Sequence, residues 1–179
     1  GSGNFAVDSA GNITLAAGLD YETATSYSLT LSASDGVNTT TNSLTITIDD
    51  VNEAPSLSSS LAASSFAENT ATGTTIATTS ASDPESQTIT YSLSGTGSEN
   101  FAVDSSGNIT LASSLDYETT TSYSLTLTAS DGTNSASETI NISVADVVEL
   151  SIALASSSIS IDENASSGSS ITTTSTTTD

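Results

Sequence analysis

Tyr123-Ser124-Leu125-Thr126-Leu127-Thr128-Ala129-Ser130-Asp131-Gly132 alternates apolar and hydroxyl side chains, then breaks at Asp-Gly. A strand turns successive side chains to opposite faces, so Tyr123, Leu125, Leu127 and Ala129 share one side. The stretch reads as a half-buried strand closed by a turn. It occurs again at Tyr27-Ser28-Leu29-Thr30-Leu31-Ser32-Ala33-Ser34-Asp35-Gly36, differing only in Ser32 for Thr128. Ile140, Ile142 and Val144 alternate likewise, as do Leu44, Ile46 and Ile48, and Ile89, Tyr91 and Leu93; Ile109 with Leu111 is shorter. Ser-Ala-Gly-Asn at 9–12 and Ser-Ser-Gly-Asn at 105–108 read as hairpin turns. No stretch keeps a helical period over three turns. About seven short strands per repeat predict an all-β chain of antiparallel, Ig-like β-sandwiches.

The repeat extends through the whole chain. Gly97-Ser98-Glu99-Asn100-Phe101-Ala102-Val103-Asp104 restates Gly1-Ser2-Gly3-Asn4-Phe5-Ala6-Val7-Asp8, 96 residues earlier. Leu115-Asp116-Tyr117-Glu118 restates Leu19-Asp20-Tyr21-Glu22 at the same spacing. That period is too long for a solenoid unit and is the size of a domain. Phe66-Ala67-Glu68-Asn69 returns as Ile161-Asp162-Glu163-Asn164, and Gly73 and Ile76 return as Gly168 and Ile171. The expected organisation is the C-terminal part of one repeat at 1–50, a linker at 51–55, and a complete repeat at 56–146. A second linker at 147–150 and the N-terminal part of a third repeat at 151–179 follow. With no methionine, the sequence reads as a piece of something longer.

The chain has no Lys, Arg or His against 21 Asp and Glu, a formal charge of −21. Where carboxylates converge, the counter-charge must come from solution. Nucleic-acid binding is disfavoured without Lys or Arg to neutralise phosphates, and attraction to anionic lipid fails for the same reason. An acidic surface also keeps a β-rich protein dispersed. Without cysteine there is no disulfide framework, and no apolar run approaches a membrane span. Nucleophilic catalysis lacks its usual His, Cys or Lys; the reading is not an enzyme.

Five motifs taken in order resemble the cadherin repeat, in the form found in long bacterial surface adhesins. Asp50-Val51-Asn52-Glu53-Ala54-Pro55 resembles that family's inter-domain linker, and Phe66-Ala67-Glu68-Asn69 its early glutamate motif. Ser82-Asp83-Pro84-Glu85, the two Leu-Asp-Tyr-Glu stretches and Ala-x-Asp-Gly before the last strand complete the set. The resemblance implies tandem cadherin-like sandwiches joined by Ca²⁺, a cation that takes six to eight oxygen ligands. It implies one junction built from Asp20, Glu22, Asp50, Asn52, Glu53, Asp83 and Glu85. A second would gather Glu68, Asp116, Glu118, Asp146 and Glu149, with Asp179 as a further match. Asp146-Val147-Val148-Glu149-Leu150 departs from the pattern: Val148 stands where Asn52 does, and Ala54-Pro55 has no counterpart. Fewer or weaker ions and a more flexible joint are expected there.

The function implied is a calcium-rigidified extender of a large extracellular or surface-anchored protein, its partners the other repeats of the same chain. Two alternatives stand beside it. One is a sandwich module for cell-surface glycans or a like copy, for which Tyr21 and Tyr117 are the better exposed aromatics than Tyr27 and Tyr123. The other is a matrix filament in which the C-terminal strands of one copy complete the N-terminal half-domain of the next. Against the filament, neither end supplies the strand equivalent to 89–93. No nucleic acid and no membrane insertion are expected.

Overall fold

A computed structural model of the 179-residue chain describes residues 2–153 and 174–178, with side chains over 3–148. The third-repeat motif at 161–164 and Asp179 lie outside the described residues. Strands carry almost all the regular structure described, beside two single-turn 3-10 segments. The chain divides into two compact units: Gly1–Ser56 with Ala81–Thr90 and Ala129–Ala136, and Leu57–Ser80 with Tyr91–Thr128 and Ser137–Asp179.

In the first unit, β1 (Phe5–Val7) pairs antiparallel with β2 (Ile13–Leu15), Phe5 opposite Leu15 and Val7 opposite Ile13. The turn between them is tied by the Asp8 carboxylate, which accepts the backbone N–H of Ala10 at 2.9 Å and of Asn12 at 2.8 Å. β3 (Ser26–Ser34) and β4 (Thr39–Thr47) form a long hairpin closed at Asp35-Gly36, with Ser26 opposite Thr47 and Ser34 opposite Thr39. Phe5 meets the edge of Tyr27, ring centroids 5.2 Å apart.

The second unit carries the sandwich. One sheet runs β5 (Ser56–Leu61), β7 (Thr75–Ser82), β10 (Ile109–Leu111), β9 (Phe101–Val103) in spatial order. The other runs β6 (Phe66–Ala67), β12 (Ser135–Ala145), β11 (Ser122–Ser130), β8 (Thr90–Ser94). The alternation in β11 holds: Tyr123, Leu125, Leu127 and Ala129 are buried while Ser122 and Ser124 are exposed. Ile76, Phe101, Ile109, Leu111, Ile140 and Ile142 complete the centre of the core. Tyr123 stacks edge-on against Phe101 at 5.2 Å, and Tyr117 packs half-buried on the same cluster, so neither is a free aromatic platform.

The strand count is eight rather than about seven, because the chain changes sheets between β5 and β6. After that crossover β6 lies parallel to β12, Phe66 opposite Val144, whereas β10 pairs antiparallel with both β7 and β9. Gly97 shows why a glycine opens the Gly-Ser-x-Asn-Phe motif. Its φ is +79°, and a Cβ there would stand 2.6 Å from the Tyr123 ring. Beyond the sandwich, β13 (Glu149–Ala153) pairs antiparallel with β14 (Thr174–Thr178), Glu149 opposite Thr178.

Candidate metal centres

Glu22, Glu53 and Glu85 come from three separated segments: the turn after β2, the linker before β5 and the loop after β7. Each offers a carboxylate oxygen within 4.8 Å of the other two. The Glu53 N–H points at Glu85 Oε1 across 3.5 Å. Hydrogen bonding to the Glu85 side chain, then desolvation and repulsion from Glu85, Glu22 and Asp50, pushes the Glu53 carboxyl up to about 7. Asp83 Oδ1 accepts the N–H of Gln87 at 2.8 Å, but Asp83 Oδ2 is enclosed without a hydrogen-bond partner, as is Glu85 Oε2. Enclosed carboxylate oxygens without donors are costly, and this chain has no cationic side chain to offer them.

Asp20 sits beside this cluster in sequence but is engaged locally. It accepts the Thr23 hydroxyl and the Thr23 N–H, both at 2.9 Å, and those bonds hold its carboxyl below the usual range. Asn52 is half-buried and spent on hydrogen bonds. Its Nδ2 donates to Asp131 Oδ2 at 2.8 Å and to the Glu53 carbonyl at 3.0 Å, and its Oδ1 accepts from Gln87 Nε2. Asn134 Nδ2 donates to the Asn52 carbonyl at 2.7 Å. Asp131, Asn134 and Gln87 are therefore parts of the linker's surroundings that the sequence reading left out. Asp131 belongs to the Ala-x-Asp-Gly motif, so a signal was there; Gln87 and Asn134 carry none.

In the second unit Glu68, Asp116 and Glu118 bring carboxylate oxygens within 4.8 Å of one another. Glu68 is 6% exposed. Its Oε2 accepts the N–H of Tyr117 at 2.8 Å, and its Oε1 accepts the N–H of Val147 at 2.7 Å. One side chain thus pins both the Leu-Asp-Tyr-Glu turn and the start of the following linker. Asp116 is held in its turn by the Thr119 hydroxyl at 2.7 Å and N–H at 3.0 Å, which lower its pKa. Glu118 is drawn down by its own backbone amide. Partial desolvation and the charges of Glu68, Asp146 and Asp116 together outweigh that pull and raise it. Asp146 therefore lies close enough to act on the cluster. Val148 is 66% exposed, and Glu149 is described only as the first residue of β13.

Both clusters are made of hard oxygen donors, and in the first Glu85 carries an orphaned enclosed oxygen. This donor set fits a divalent cation of the calcium type. Among the described residues no helix is long and apolar enough to cross a membrane.

Residues 63–145 match the family model of the cadherin domain. Over 132 residues, 69% of the chain, the sequence is 33% identical to Protocadherin Fat 4 of Mus musculus. Over 122 residues, 64% of the chain, it is 31% identical to the Fat-like cadherin-related tumor suppressor homolog of Drosophila melanogaster. The chain spans 3% of the length of either relative. Among solved structures it resembles Protocadherin Gamma B2 extracellular cadherin domains 3-6, with TM-score 0.63 and 25% identity. That match covers 86% of this chain and 39% of the other. It also resembles the Protocadherin gammaB7 EC3-6 cis-dimer structure, with TM-score 0.54 and 27% identity over 82% of this chain and 38% of that one. The match to the cadherin domain model thus falls within the sandwich, and the fold is that of the cadherin-like structural neighbours.

Proposed function

We propose that this chain is a calcium-rigidified extender and adhesion segment of a large extracellular or surface-anchored protein. The observation that carries the reading is the gathering of the Glu22, Glu53 and Glu85 carboxylates from three chain segments, with Glu85 Oε2 enclosed and unpartnered and no protein cation to meet it. Glu22, Glu53, Asp83 and Glu85 would hold one ion group, with Asp50 adjacent. Glu68, Asp116 and Glu118 would hold the other, with Asp146 adjacent. Bound calcium supplies the missing positive charge and lets the carboxylates stay together ionised. The chain's own part is to hold them there: Glu68 through two backbone N–H groups, Asp116 through Thr119, and Asn52 through Asp131 and Asn134. The expected affinity is that of extracellular modules, on the order of 10⁻⁴–10⁻³ M.

The test is small-angle scattering in millimolar calcium and again in chelator, beside calorimetric calcium titration of the chain and of Glu85→Gln. We expect a particle that loses rigidity on chelation, and a titration in which Glu85→Gln removes the stronger phase. Identical scattering profiles in the two buffers would sink the proposal and leave the acids as a solubilising surface.

A further inference from the structure

Beside the carboxylate clusters, the second unit carries an open pocket of about 500 Å³ between the 3-10 turn Ser98–Asn100 and the turn that precedes β11. That volume suits a small ligand or a single docked side chain, sites that run to ~300–1,000 Å³. Gly97, Glu99 and Asn100 line it from the first turn, Thr120 from the second, and Ser122 and Tyr123 from the start of β11. Asp116 also borders it, but its two oxygens accept the Thr119 N–H and hydroxyl, and it belongs to the Glu68 cluster.

Glu99 is the acid at this pocket that the fold does not use. Gly97-Ser98-Glu99-Asn100-Phe101 restates Gly1-Ser2-Gly3-Asn4-Phe5 with Glu99 as the one change. The first unit makes the same turn, Ser2–Asn4, and the same following strand with a glycine in that place. What holds the turn is main chain: the Ser98 N–H donates to the Gly95 carbonyl at 3.2 Å and the Asn100 N–H to the Gly97 carbonyl at 3.1 Å. Glu99 is exposed and belongs to neither carboxylate cluster. Tyr123 adds an independent sign. It is 8% exposed, yet Asn100 Nδ2 stands 3.5 Å from its hydroxyl oxygen, at the outer limit of a hydrogen bond. The same pair in the first unit, Asn4 and Tyr27, closes to 3.0 Å. A nearly buried phenol oxygen at the pocket is thus left without a close donor. Its ring is shut in by Gly97 and Phe101 and offers no open face on which a sugar could stack.

We infer that this pocket receives a primary ammonium group, the lysine side chain of a partner protein. An ammonium is a compact charge with three N–H donors, and the Glu99 carboxylate, the Tyr123 oxygen and the Thr120 and Ser122 hydroxyls are acceptors for it. A hydrogen bond between two ionised groups is roughly twice as strong as a neutral one, so Glu99 carries most of the affinity. An anion is repelled by Glu99 and by a chain of −21 charge, and the same field draws a cation in. A guanidinium fork wants two parallel acceptors, whereas the acceptors here are one carboxylate and several single oxygens, which suits the ammonium better. These 179 residues contain no lysine, so the occupant comes from a different protein and not from a second copy of them. Glu99 is not among the proposed calcium ligands, so this assignment is tested apart from the function proposed above.

The test is NMR titration of the full chain with Nα-acetyl-lysine amide, in millimolar calcium and about 0.15 M salt to screen diffuse attraction. We expect saturable shifts centred on the Gly97 and Glu99 backbone amides and the Asn100 side-chain amide, with a millimolar dissociation constant. The same probe acetylated at Nε keeps the stem without the charge and should leave those signals still. Glu99→Gln should weaken binding about tenfold or more, and Tyr123→Phe several-fold. Asp49→Asn makes the same change in net charge at an exposed residue outside the pocket and should leave binding unchanged. The remaining amide signals report that each variant stays folded. Equal losses in Glu99→Gln and Asp49→Asn overturn the inference in favour of diffuse attraction to an acidic chain. Shifts centred on Glu68 and Glu118 overturn it in favour of the carboxylate cluster, and an absence of shifts overturns it outright. Tighter binding of putrescine, of Nα-acetyl-arginine amide or of methyl glucoside overturns the lysine assignment.

Discussion

Glu68 shows how much one side chain can organise in a chain without cations. Both its oxygens accept backbone N–H groups from segments far apart in sequence, at 2.8 and 2.7 Å. Glu68→Gln keeps the shape but turns an NH₂ group toward one of those donors. The loss should be about 1–3 kcal/mol even in chelator, read from urea unfolding of the variant against the parent. An unchanged midpoint in chelator would mean the two bonds are incidental. Glu53 yields a second prediction at this scale. Its folded-state pKa, raised to about 7, exceeds that of an unfolded glutamate. The metal-free folded protein then holds a proton that the unfolded chain has released, and its stability falls as pH rises. Glu118 is shifted in the same direction, while the lowered aspartates, Asp20 and Asp116 among them, act only near and below their ordinary range. Between about pH 5 and 8 in chelator the thermal midpoint should therefore decline, and Glu53→Gln should flatten the decline. A midpoint that climbs over that interval contradicts the carboxyl pairing.

At the scale of the element, the repeat supplies its own control experiment. Leu127 on β11 is fully buried and Leu31 on β3, the same residue one period earlier, is 36% exposed. Leu127→Ala should cost about 2–5 kcal/mol, and Leu31→Ala much less, by denaturant unfolding; equal costs would refute the unequal burial. Gly97→Ala combines a left-handed backbone with a Cβ 2.6 Å from the Tyr123 ring. About 2–4 kcal/mol in total is expected, measured the same way. Alternation made β3, β4, β11 and β12 readable, because each sets apolar side chains against hydroxyls along its core-facing stretch. β5, with the sequence Ser-Leu-Ser-Ser-Ser-Leu, and β7, with its run of Thr, Ser and Ala, give too little contrast between faces to be seen. β6 is two residues long and exists only through its parallel partner. The acids that gather at each cluster were legible as motifs. What fixes them was not, since the donors to Glu68 are main-chain N–H groups that no sequence pattern prints.

For the whole molecule, the decisive property is charge without compensation. No Lys, Arg or His is present, so screening has no side-chain ion pair to weaken. Added salt can act only on repulsion. In chelator, raising ionic strength from about 0.01 to 0.15 M should raise the thermal midpoint monotonically, and differential scanning calorimetry with sodium chloride settles it. A fall in the midpoint would show a cation bound through chelation or an attraction unaccounted for among the described residues. The amide clasp on Asn52 has a consequence of a different kind. It is built from Gln87, Asp131 and Asn134, and none of its bonds depends on a metal; the linker at 147–150 has an exposed Val148 in the corresponding place. In mechanical terms the two linkers are springs of unequal stiffness in series. With calcium withdrawn, the bond from the Val147 N–H to Glu68 is the hold described on 147–150, against the four hydrogen bonds around Asn52, so pulling is expected to extend 147–150 first.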